Sequence, residues 1–111
     1  MNEYLFLYRG SQPPTSPQDA QETMQKWMNW LEDMSKKGHI KDRGLPLEAA
    51  GKVVAGKHKA ITDGPFAEAK DLVGGYTVIQ AKDLAHAAEL SKGCPIFERN
   101  GSVEVRPIMK M

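Results

Sequence analysis

The sequence predicts an α+β domain with two helices on one face of an antiparallel sheet. Three observations predict it. Apolar runs at 3–8, 72–81 and 102–108 have the length and composition of strands. Residues 17–37 repeat apolar side chains at three- and four-residue steps, and a shorter run after Asp83 does the same. The resulting order, β-α-β-(hairpin)-β-α-β, is the split βαβ pattern, and 111 residues suit one domain over 1–111.

Each element carries its own signals. Residues 3–8 (Glu-Tyr-Leu-Phe-Leu-Tyr) are bounded by Arg9-Gly10 and read as a central strand. Ser16 is placed to cap the first helix and Pro17 fits its first position, while Asp19 and Glu22 favour its positive end. The helix runs to about Lys37 and stops at Gly38. Its expected core stripe is Ala20, Met24, Trp27, Met28, Leu31 and Met34; Trp30 lies off centre, at a subunit contact or a pocket rim. His39–Leu45 reads as a strand, and Lys52–Ala55 with His58–Thr62 form a hairpin around Gly56-Lys57.

Asp63-Gly64-Pro65-Phe66 is turn chemistry: a side chain that bonds its own backbone, a permissive glycine and a rigid proline. Residues 72–81 form the strongest strand, and Gly74-Gly75 within it suggests a bulge or a close backbone approach. Asp83 caps a second helix through about Lys92, with Leu84, Ala87, Ala88 and Ser91 inward. Gly93 and Pro95 end it, and Ser102–Ile108 is the last strand. The whole is a ferredoxin-like βαββαβ unit with an extra small hairpin. Leu5, Phe6 and Leu7 place apolar side chains on both sheet faces, so the face without helices needs a cover, and sheet-to-sheet homodimerisation supplies one.

Composition excludes several functions. The net charge is +1, without the concentrated positive patch that direct nucleic-acid binding needs. No run approaches a membrane span, and Met1-Asn2-Glu3-Tyr4 does not open like a secretory signal, so a cytoplasmic protein is expected. Cys94 is the one cysteine, so no internal disulfide forms, and it reads as a small core residue. The three histidines, His39, His58 and His86, are not spaced as metal ligands, and no phosphate-loop motif surrounds Gly74-Gly75. No metal or other cofactor is expected.

One set of residues resembles a known family. Thr62-Asp63-Gly64-Pro65-Phe66-Ala67-Glu68-Ala69-Lys70, Gly74-Gly75-Tyr76, Val103-Glu104-Val105-Arg106-Pro107 and Gly38-His39 together resemble the YCII-related proteins of the DGPF type, over residues 3–108. The resemblance implies a dimeric α/β-barrel of ferredoxin-like subunits. It implies either an enzyme built on a histidine and an aspartate or an accessory module linked to sigma-factor-type partners in transcription initiation.

The candidate catalytic pair is His39 and Asp63, since a carboxylate that orients an imidazole gives a base near neutral pH, suited to a lyase or an isomerase. Regular strands would set the two roughly 20 Å apart at about 3.3 Å per residue, unless the hairpin or a partner subunit brings them together. The alternative is that His39 caps a helix and Asp63 organises a turn. Gly64, Pro65, Phe66, Glu68 and Arg106 are the ligand-binding candidates, the last by bidentate contact with an anion. The ligand is expected between sheet and helices or at the subunit interface.

Overall fold

Local sequence sets the elements of the structure, a computed structural model that describes residues 1–64 and 69–111. In chain order they are β1 (Asn2–Arg9), α1 (Pro17–Lys36), β2 (Ile40–Asp42), β3 (Gly51–Ala55), β4 (Ala60–Gly64), β5 (Val73–Ala81), α2 (Leu84–Ser91) and β6 (Ser102–Pro107). Both helices begin as their caps dictate. Ser16 Oγ accepts from the Asp19 N–H at 3.0 Å, and Asp83 Oδ1 from the His86 N–H at 2.8 Å.

The main sheet runs β2-β5-β1-β6, antiparallel throughout, with α1 and α2 against one face; this is the ferredoxin-like α+β arrangement. The period of two along β1 turns Tyr4, Phe6 and Tyr8 into the core, where Ile79, Thr77 and Ala81 of β5 meet them. Leu5 and Leu7 point to the other face, directly opposite Val78 and Tyr76. Charge rims that face: Lys41 pairs with Glu3, and Glu104 lies between Arg9 and Arg106.

The core stripe of α1 is rotated from the expected one. Met34 is buried and Trp27 and Trp30 pack on the core, whereas Met24 and Met28 are exposed. Two indoles cover more sheet than two thioethers, and Trp30 lies stacked on Phe6 at 6.4 Å. Leu84 and Ala88, expected inward on α2, are likewise exposed, while Ala87 and Ser91 are buried. Between α2 and β6 a 3-10 turn, Pro95–Arg99, was not foreseen from sequence; it buries Pro95 and Ile96.

Among the described residues, β3 and β4 pair only with each other. Lys59 adopts φ +56° and Gly56 φ +77°, so the turn spans 56–59, His58 lies inside it, and the second strand starts at Ala60. That strand continues through Asp63 and Gly64, where a turn was expected. Val54 and Ile61, opposite one another, are exposed.

The accessible surface is 7940 Å². A compact 12.3 kDa monomer would show about 6,100 Å². Apolar side chains on the hairpin, at Leu45 and at Leu47 contribute to the excess.

Candidate functional site

A cavity of about 610 Å³ lies between α1 and the ends of β1, β2 and β5. Small residues shape it. Gly75 lets the 45–46 backbone and the Tyr8 ring close in on the sheet, where a Cβ would stand 3.3 Å from the Leu45 carbonyl oxygen, and Ala20 and Thr23 present short side chains from α1. The pairing of Tyr8 with Gly75 and of Arg9 with Val73 leaves Gly74 as a bulged residue, as its doublet suggested. Across that bulge the Leu47 N–H bonds the Gly74 carbonyl at 2.8 Å, folding the 43–47 segment over the cavity's flank.

Two glycines hold the rim through conformation. Gly44 at φ +71° approaches the Tyr76 carbonyl so closely that a Cβ would stand 1.7 Å from its oxygen. Gly10 at φ +69° lies likewise against the Lys70 carbonyl.

The walls are mainly apolar and aromatic. Trp27 stands edge-on to Tyr8, with centroids 4.7 Å apart and planes at 85°, and Trp30 backs both. The Tyr8 hydroxyl donates to Thr77 Oγ1 at 2.6 Å, and Thr77 Oγ1 donates to the Arg43 carbonyl at 2.9 Å. Burial holds the Tyr8 phenol far above its ordinary range, so it stays protonated. The Arg43 guanidinium leans outward onto Glu32 at 2.9 Å.

At the cavity's Thr23 edge, Arg99 bonds Thr23 Oγ1 at 2.7 Å and pairs with Asp19, tying α1 to the 3-10 turn. The Arg99 hydrogen bond, with the Thr15 backbone, lowers the Asp19 carboxyl to about 2.

The residues singled out in sequence lie elsewhere. His39 Nδ1 faces the Gln80 carbonyl at 3.2 Å, a contact that fixes the ring proton on Nδ1. Its ring meets that of His86 edge-on at 5.4 Å, and His86 Nδ1 accepts the Lys82 N–H at 3.0 Å. Asp63, on the exposed hairpin, pairs with Lys52. Among the described residues, no bond or ring contact joins His39 to Asp63 within the chain. Gly64 ends β4 beside Val53, and Arg106 pairs with Glu104 on the rim of the helix-free face. Pro65, Phe66 and Glu68 lie outside the described residues. Cys94 is core as expected: it is buried, and burial pushes its thiol up to about 12. Among the described residues, no helix is long and apolar enough to cross a membrane and no cluster of His, Cys, Asp or Glu could hold a metal ion.

A ligand was expected between sheet and helices, but none of the described site residues named from sequence lines this cavity. Its signal was the small residues Ala20, Gly74 and Gly75, but which of them face one another is decided only by the register of β1 on β5 and the rotation of α1.

Comparison with known proteins adds the following. A solved structure of 5-chloro-2-hydroxyhydroquinone dehydrochlorinase (TftG) from Burkholderia phenoliruptrix AC1100, in complex with 2,5-dihydroxybenzoquinone, is similar over 98% of this chain and 95% of that one, at 14% identity and a TM-score of 0.49. No curated protein matches the chain. The model of the YCII-related domain matches residues 4–111, and the chain therefore belongs to the YCII-related family.

Proposed function

We propose that this protein is a homodimer that binds a small, largely apolar molecule in the cavity between α1 and the sheet. The cavity itself carries the reading. At about 610 Å³ it falls within the size range of small-molecule sites, roughly 300–1,000 Å³, and like them it joins apolar walls to a few fixed polar groups. It also lies at the same end of β5 as the glycine bulge and the two rim glycines, so backbone conformation maintains it.

The dimer follows from surface. The excess over a compact monomer is about 1,800 Å² per chain, enough for the interface of an obligate homodimer. Leu5, Leu7, Val78 and Tyr76 form the apolar centre of the helix-free face, and two such faces packed together would give a dimeric α/β-barrel. In a lyase or isomerase, His39 and Asp63 would serve as an acid–base pair if that assembly brings them together.

The test is titration with 2-naphthol, followed by tryptophan emission, on the wild type and on Ala20→Phe. Saturable quenching is expected from the wild type and none from the variant, whose new ring would project from α1 into the cavity. Equal binding by both proteins would move the ligand out of the cavity.

A further inference from the structure

The cavity's hydrogen bonds have a fixed direction. The Arg43 carbonyl can only accept, so the hydroxyl proton of Thr77, 2.9 Å away, is committed to it. Thr77 Oγ1 can then meet Tyr8 only as an acceptor, and the Tyr8 proton is committed in turn, at 2.6 Å. What remains on the Tyr8 oxygen is a lone pair.

Two backbone N–H groups and the guanidinium at the rim are also engaged. The Gly10 N–H bonds the Leu72 carbonyl at 3.1 Å, the Gly44 N–H bonds Asp42 Oδ1 at 2.8 Å, and the Arg43 guanidinium is held by Glu32 outside. Among the described lining residues there is no carboxylate, lysine or histidine. A charged ligand would therefore lose its hydration without gaining a free counter-charge.

We infer that the cavity selects a neutral, flat ligand that donates a hydroxyl or amine hydrogen to the Tyr8 oxygen, and that Tyr8 and Thr77 together set this preference. The inference rests on the cavity being the ligand site. Trp27 and Tyr8 supply the aromatic surfaces that favour a planar body. The relay through Thr77 supplies polarity: it turns a group that could donate or accept into one that only accepts.

Three probes of one shape test this: 2-naphthol, 2-methoxynaphthalene and naphthalene-2-carboxylate, each titrated against tryptophan emission. The naphthol should bind about five- to tenfold more tightly than the methoxy compound, the effect of one hydrogen bond, and the carboxylate weakest. Tyr8→Phe should bring the first two within about twofold of each other. Thr77→Val frees the Tyr8 proton to point into the cavity, so it should strengthen the methoxy compound, a gain that simple loss of packing would not give. It also keeps the inference open to refutation should Tyr8→Phe not fold. Equal affinity of the naphthol and its ether in the wild type, or an unchanged preference in Thr77→Val, would overturn the inference and leave the cavity as the site. Absence of binding by all three would overturn both.

Discussion

A Cβ on Gly44 would stand 1.7 Å from the carbonyl oxygen of Tyr76, nearer than any two such atoms can come. The contact joins the end of β2 to β5 at the rim of the cavity. Gly44→Ala should therefore cost well over the about 1–2 kcal/mol of a left-handed alanine. Gly38 gives the control. It has φ +80° with nothing within 4 Å of a Cβ, so Gly38→Ala should cost that conformational penalty alone. Urea unfolding of the two variants measures the difference, and equal losses would count against the close approach.

Stability should fall with acid through Asp19. Its folded carboxyl is lowered to about 2 by the Arg99 hydrogen bond, below the ordinary value near 3.8. The unfolded chain thus binds the proton first on descending pH. The contribution is complete above the ordinary carboxylate range and disappears between about 3.8 and about 2. Asp19→Asn should flatten that part of the profile in thermal melts from pH 6 downward, at about unchanged steepness elsewhere.

Cys94 should resist modification. It is 4% exposed, and burial pushes its thiol up to about 12, so little thiolate forms near neutrality. A disulfide reagent at pH 8 should label the native protein only as fast as it unfolds, and immediately in denaturant. Rapid labelling of the folded protein would contradict the packing around Ser91 and Ile96.

The proposed dimer predicts a selective effect at Leu7, on the helix-free face opposite Tyr76 and Glu104. Leu7→Lys sets a cation beside Glu104, which a monomer tolerates, but puts charge into the centre of the proposed interface. Sedimentation should show the wild type as a dimer and this variant as a folded monomer. A monomeric wild type at high concentration would remove the interface.

His39 lies beyond the cavity along β5. His39 bonds Gln80, and the cavity begins at Thr77 and extends through Gly75. Gln80 and Thr77 are separated by about 10 Å along a strand. His39→Ala and Asp63→Ala should each leave 2-naphthol affinity within about twofold of the wild type. Loss of binding in either would bring that residue into the site.

How far the sequence could be read depended on whether a signal was local. Ser16 and Asp83 announced their helices because a cap acts on the next three residues. β1 and β5 announced themselves by their own composition. The rotation of α1 was not local. Met24 and Met28 read as core and Trp30 as off centre, yet Trp30 lies on Phe6 and the two methionines are exposed. Nor was the Tyr8–Thr77–Arg43 relay legible, since its members are separated by 69 and 34 positions and meet only through strand pairing. Of the family motif, Asp63 drew attention as chemistry, though it lies on the hairpin, whereas Gly74-Gly75 read only as a bulge or a close approach, not as part of a cavity.

The most direct measurement is a crystal structure of the protein with 2-naphthol. The account places the ring in the cavity against Trp27 and Tyr8, with its hydroxyl on the Tyr8 oxygen. A naphthol seated beside His39 and His86 instead, with the cavity unfilled, would contradict it.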